Sequence, residues 1–288
     1  MSDILLAIQN HPPAWIAICA VLGLLVGSFL NVVIHRLPVM LDRGWKAQAR
    51  ELLDLPEEPS EPFTLLAPRS RCPHCGAMIR AWQNVPVLSW LLLRGRCAAC
   101  RAPISLRYPA IEILSGLLAA FMAWKFGASW AGVGAILFAW LLIALTFIDI
   151  DHQLLPDDLT LPLLWLGLLF SLGNVFVPPQ DAIIGAAAGY LSLWTVFQLF
   201  KLLTGKEGMG YGDFKLFAAL GAWLGWQQLP LVILLAAAAG AVLGIAAIAI
   251  QGRDRAQPMP FGPYLAIAGL VAFLWGDAII GWYLGLYR

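Results

Sequence analysis

Four short stretches carry residue types that can do chemistry. GMGYGDFKL, Gly208 to Leu216, sets one carboxylate, Asp213, among glycines between two apolar runs. FIDIDHQLLPDD, Phe147 to Asp158, ends another apolar run with Asp149, Asp151, Asp157 and Asp158. RCPHCGAMI and RCAACRAPI hold Cys72, Cys75, Cys97 and Cys100 as two CxxC pairs with 21 residues between them.

Charge beside lipid is costly and points first to function. Asp149 directly continues TFI at the end of its run, and Asp213 stands immediately before the next run, so these two carboxylates are the deepest by sequence. If they face one another, both cannot ionise cheaply, and they should hold one proton between them. That arrangement suits peptide hydrolysis, in which one carboxylate takes a proton from water while the other polarises the scissile carbonyl. Gly210 and Gly212 would then permit positive φ and close approach of a substrate backbone, or serve only as a hinge. The other acids have plainer readings. Asp157 and Asp158 follow Pro156 and suit a helix N-terminus. Asp151 reads as a solvated loop acid, and Lys215 as an interfacial anchor.

The paired CxxC motifs have zinc-ribbon spacing. Two knuckles offering four thiolates make a closed tetrahedral site, the structural form of zinc binding, and such a metal supplies folding energy to a small loop. Two disulfides are the alternative, disfavoured in a reducing cytoplasm. His74 sits inside the first knuckle as a spare ligand. Cys19, in the first apolar run, reads as a small buried hydrophobe.

The elements that position these residues follow from composition. The chain of 288 residues is 60% hydrophobic and 12% charged, with mean hydropathy +0.78; soluble domains carry about twice that charge. We therefore expect an all-α polytopic membrane protein of about eight transmembrane helices with a cytoplasmic zinc-binding loop subdomain. The spans read as Trp15–Ile34, Pro109–Trp124, Ala131–Ile148, Leu159–Phe176, Ile183–Leu203, Leu216–Trp226, Leu231–Ile250 and Tyr264–Leu286. The second and sixth are short, and the sixth can begin as early as Tyr211 or Asp213. The domain reading is a first transmembrane helix at 1–35, the four-cysteine loop at 36–107 and a seven-helix membrane catalytic domain at 108–288. The opening MSDILLAIQNHPPAW has no basic n-region and carries Asp3, so a retained first helix is expected.

Orientation comes from Lys and Arg. Of 18 basic residues, 11 lie between Arg36 and Arg107. Placing that loop in the cytoplasm also places Lys201, Lys206, Lys215, Arg253 and Arg255 inside, leaving only Lys125 and Arg288 outside, a strong positive-inside bias. Both carboxylate stretches then lie at the cytoplasmic face. The loop's Pro-rich stretch, Leu55–Phe63, and its length indicate a subdomain.

The GYGD of Gly210–Asp213 matches the GxGD motif of membrane aspartyl proteases. With GSFLNVVIHRLP (27–38), the paired CxxC loop, FIDIDHQLLPD (147–157), GMGYGDFKLFAALGAWLG (208–225) and PMPFGPYLA (258–266) in order, the chain resembles the type IV prepilin peptidase / N-methyltransferase family over nearly its whole length. The resemblance implies polytopic helices in the bacterial inner membrane. It implies cytoplasmic cleavage of the basic leader from type IV prepilins and type II secretion pseudopilins, after a glycine and before the apolar pilin helix. It also implies N-methylation of the new terminus, often phenylalanine, with S-adenosylmethionine as methyl donor. It puts the catalytic aspartates at Asp149 and Asp213 and structural zinc on Cys72, Cys75, Cys97 and Cys100. Asp151, Asp157, Asp158 and Glu112 are candidates for attracting the basic leader. No nucleic-acid partner is expected. No βαβ unit with a G-x-G-x-x-G loop is present for the donor, and its binding residues are unassigned; Gly27, Asn31, His35 and Arg36 lie beside the loop.

Three rival readings have distinct signatures. A serine hydrolase would use Ser28 and His35, which share a helix face at a spacing of seven. A transporter would relay protons through Asp149 and Asp213 near the bilayer midplane. A zinc-linked scaffold would need neither aspartate.

Overall fold

The computed structural model describes residues 11–56, 62–206, 208–251 and 259–285. Arg253, Arg255, Arg288, Asp3 and most of the Pro-rich stretch lie outside the described residues. The described elements are helices α1 (Pro12–Leu52), α2 (Leu88–Leu92), α3 (Arg107–Phe126), α4 (Trp130–His152), α5 (Asp157–Leu172), α6 (Pro179–Thr204), α7 (Tyr211–Leu224), α8 (Leu229–Gln251) and α9 (Gly262–Gly285). Apart from the five-residue α2, they correspond one to one with the expected spans. Six segments are long and apolar enough to cross a membrane. The helices α5, with 16 residues, and α7, with 14, are shorter.

The first helix differs most from expectation. It runs 41 residues, about 60 Å at 1.5 Å per residue, and does not stop where the polar loop begins. Pro38 sits inside it, although a proline there removes one hydrogen bond and presses on the preceding turn. Helix-forming residues follow, with an Asp42–Lys46 ion pair one turn apart at 2.6 Å. The expected boundary after residue 35 is therefore not a break in the helix.

The chain forms two compact units, 1–144 and 145–288. In the first, α1 packs along α3 through small residues: Gly23 and Gly27 lie against Ser115, Gly116, Ala119 and the backbone of Glu112. Lipid offers no hydrophobic drive between helices, so close backbone approach and van der Waals contact hold such a seam. Arg36, only 8% exposed, ties the helix to the loop. Its guanidinium donates to Thr64 O at 2.9 Å and Pro68 O at 2.7 Å, and it lies over the Phe63 ring together with Arg43.

In the second unit, α7 is buried from Asp213 to Leu224 except at Lys215, packed by α5, α6 and α9. A helix apolar on every side must sit inside protein or lipid. Here Trp223 shows that it is protein: the indole donates to Leu163 O on α5 at 2.7 Å and packs against Phe170, Phe176 and Phe273. This burial gives a short helix a fixed depth and rotation, and so aims Asp213.

Candidate active site and metal centre

Asp149 lies in the last turn of α4 and Asp213 in the first turn of α7. Both belong to the second unit, and both are nearly sealed, at 5% and 8% exposure. Asp149 Oδ2 accepts the Gly262 N–H at 3.0 Å. Gly262 is the first residue of α9, where backbone donors have no partner within the helix, so the carboxylate satisfies one of them. Pro263 follows, as suits a helix start. Leu155, buried in the connection between α4 and α5, fills the space between the two carboxylate-bearing segments. Its side chain meets Gly262 on one side and Gly212 on the other. The two carboxylates are near enough to interact electrostatically.

The glycines before Asp213 act differently from expectation. Neither Gly210 nor Gly212 has positive φ. Gly210 caps α7 in an extended conformation, φ −81° and ψ 150°, and its carbonyl accepts the Asp213 N–H at 3.2 Å. Gly212 is needed for close approach, since a Cβ there would stand 2.7 Å from Leu155 Cβ. Beside this turn lies an open apolar groove lined by Val196, Phe197, Phe200, Gly208 and Met209. Phe197 packs on Tyr211 and Phe214, the residues on either side of the Gly212–Asp213 pair.

The other acids separate from the pair. Asp157 is held by Lys215 through both carboxylate oxygens, at 2.6 and 2.8 Å. It stands with Asp158 in the first turn of α5, and neither makes a side-chain cap. Lys215 is thus an ion-pair partner rather than a free interfacial anchor. Glu112 is buried in the first unit at 8% exposure and takes no part in an exposed acidic surface. Of the four candidates for leader attraction, Asp157 is neutralised and Glu112 is covered; Asp151 and Asp158 remain at the surface. Ser28 interacts with Glu112, while His35 is exposed. No hydrogen bond joins Ser28 to His35 among the described residues, so the serine-hydrolase geometry is not formed.

The four loop cysteines converge, their sulfurs all within 4.8 Å of one another. Cys72 Sγ and Cys100 Sγ are 3.8 Å apart, the edge of a tetrahedron whose zinc–sulfur bonds are ~2.3 Å. Each pair sits in a similar turn. Cys72 N–H donates to Ala77 O and Cys97 N–H to Ala102 O, at 2.9 and 2.8 Å. Antiparallel bridges Arg71–Met78 and Arg96–Pro103 close the two knuckles. The residue after the second cysteine has positive φ in both, Gly76 at 70° and Arg101 at 61°. The backbone N–H groups of Cys100 and Ala99 lower the Cys97 thiol, while at Cys100 the Ala102 backbone N–H is outweighed by burial and the neighbouring sulfurs, which push that thiol up, as expected where four sulfurs crowd together with one proton favoured on the cluster. His74 is exposed and outside the cluster. Cys19 is buried at 3% exposure, as its small apolar reading requires.

The sequence profile of the Bacterial Peptidase A24 N-terminal domain matches residues 21–126, and that of the Type IV leader peptidase family matches residues 136–245. A protein of Stutzerimonas stutzeri named prepilin leader peptidase/N-methyltransferase is 58% identical over 282 residues, covering 98% of each chain. The chain belongs to the type IV leader peptidase family. Proteins of the same name from Aeromonas hydrophila and Pseudomonas aeruginosa are 56% and 54% identical, covering 95% and 96% of each chain. No solved structure matches the chain. Within this family frame, the N-terminal match takes in the four cysteines and Glu112, and the second match takes in Asp149 and Asp213. Gly262 lies beyond both matches. Its role was missed in the sequence, where the only signal was a Gly-Pro helix start within PMPFGPYLA.

Proposed function

We propose that the chain is a membrane aspartyl endopeptidase that removes the basic leader from type IV prepilins and type II secretion pseudopilins. It then methylates the new N-terminal amine using S-adenosylmethionine. The observation that carries the peptidase reading is the burial of Asp149 and Asp213 about Leu155 and Gly262, in a chain of this family. The pair holds one proton. The ionised carboxylate takes a proton from water as its oxygen attacks the scissile carbonyl, and the protonated partner donates a hydrogen bond to the developing oxyanion. The Gly262 N–H fixes the orientation of Asp149. The apolar groove beside the Asp213 turn suits the hydrophobic residue that follows the scissile bond, and its mostly apolar walls do not compete for the catalytic proton.

The site faces the cytoplasm of the bacterial inner membrane, the side on which a basic leader waits before export. The positive-inside distribution of Lys and Arg supports this orientation. Residues 36–107 act as a zinc-carrying subdomain and 108–288 as the membrane catalytic part. Cys72, Cys75, Cys97 and Cys100 hold zinc structurally, since four sulfurs close the coordination sphere. Replacement of Cys97 and Cys100 by serine is expected to abolish bound zinc, measured as metal per chain. It should also open residues 62–106 to limited proteolysis, because the metal supplies the loop's folding energy.

The direct test supplies the purified full-length protein in lipid with a synthetic prepilin and S-adenosylmethionine. The expected products are a released leader and a shortened chain carrying one added methyl group, read by mass spectrometry. An intact prepilin after prolonged incubation would overturn the peptidase reading.

A further inference from the structure

Glu112 is a buried carboxylate that peptide cleavage does not use. It lies in the second turn of α3, inside a segment apolar enough to span a membrane. An ionisable group in that setting marks function more often than packing. Its Oε2 accepts the Val87 N–H at 2.7 Å, and Ser28 on α1 interacts with the same carboxylate. Among the described residues it makes no ion pair. A buried carboxylate without a cation is expensive to keep.

The surroundings are costly in two further ways. Val87 has φ 60° and ψ −51°, a region that β-branched residues avoid, and the Leu88 N–H bonds back to Pro86 O across it. This is a γ-turn of the strained hand, laid over the carboxylate. One turn further along α3, Ser115 is fully buried and its hydroxyl has no hydrogen-bond partner. Gly27 faces both Glu112 and Ser115. A buried carboxyl group with no ion-pair partner, an unpaired hydroxyl and a strained turn thus meet at one place in the first unit.

We infer that Glu112 receives the N-terminal ammonium group of the cleaved substrate and takes its proton ahead of methyl transfer. This rests on the N-methyltransferase reading above. The ammonium gives the carboxylate a cation to pair with. Its proton passes to the Glu112 carboxylate, leaving a neutral amine. The amine lone pair then forms the new N–C bond to the methyl carbon of the sulfonium donor as the C–S bond breaks, its electron pair staying on sulfur. The product is a methylammonium and a thioether, and the Glu112 proton returns to water. The Val87 turn must move aside for the amine, and its strain favours that opening.

Glu112→Gln separates this role from a latch, because the amide oxygen can still accept the Val87 N–H. The variant is expected to lose methylation of a precleaved peptide by at least about 10²-fold, while prepilin cleavage and zinc content stay at wild-type levels. A peptide with a free N-terminal ammonium should bind the variant at least about tenfold more weakly, as expected for loss of a charge-assisted contact. Its N-acetylated form should bind both proteins equally. Glu112→Asp should recover part of the methylation rate. Wild-type methylation in Glu112→Gln would make the residue a latch and overturn the proposal, as would joint loss of cleavage and zinc. A wild-type protein that cleaves but never methylates would overturn the methyltransferase reading and this inference with it.

Discussion

Asp149→Asn and Asp213→Asn are each expected to reduce prepilin cleavage by about 10²- to 10⁴-fold, the range for loss of a general acid or base. Asparagine keeps the shape of the side chain, and its carbonyl oxygen can still accept the Gly262 N–H that holds Asp149 at 3.0 Å. It cannot take a proton from water, nor carry the one the pair shares. The double variant falls no further than either single one, because two groups acting as a unit are not additive. Zinc content and thermal midpoint should remain those of the wild type, and a precleaved peptide should still be methylated. Cleavage near the wild-type rate in either variant removes the aspartyl mechanism and favours a scaffold. The transporter alternative fares poorly on geometry, since Asp149 and Asp213 stand in the terminal turns of their helices rather than mid-span.

Gly262→Ala is expected to lower cleavage by about 10²-fold, the cost of misplacing a reacting group by roughly an ångström. A Cβ at this position would stand 2.7 Å from Asp149 Oδ2 and 3.1 Å from both Leu155 methyl carbons. The carboxylate is the more easily displaced, so Asp149 turns away from its partner. Gly281→Ala, on the same helix with open space around it, is the control and leaves cleavage unchanged. Methylation of a precleaved peptide is unaffected by either. Steady-state cleavage rates, with the midpoint of thermal unfolding as a check on folding, decide the comparison. Equal rates for the two alanine variants would mean that Gly262 does not position Asp149.

How much of this could be read in advance varied with the range of the interaction. The helices were legible because an apolar run of ~20 residues has few other fates. The cysteine cluster was legible because CxxC spacing encodes local turns, and both knuckles form them. What needed tertiary contact was hidden. Asp149 meets Gly262 across 113 positions of chain, and no local pattern announces that pairing. Glu112 looked like one more acid near a basic leader, and only the packing of α3 on α1 buries it. Asp157 and Lys215 looked independent, 58 residues apart, yet form one ion pair. The glycines of GMGYGD signalled an unusual backbone; the need at Gly212 was absence of a side chain, not positive φ. Likewise, the start of the polar loop suggested that the first helix ends near Ile34, but the residues after it continue the helix to Leu52.

The shortness of α7 has a consequence for biogenesis. Fourteen residues cover about 21 Å, less than the ~30 Å of a bilayer's hydrocarbon, and the segment is enclosed by its neighbours. As it leaves the ribosome it lacks a comfortable lodging in lipid, and one wall of its final berth, α9, has yet to be translated. The proposed proteolytic centre would therefore not mature stepwise with synthesis. It would form only once the C-terminal helix supplies the Gly262 N–H to Asp149, so a chain truncated before α9 is expected to be catalytically silent.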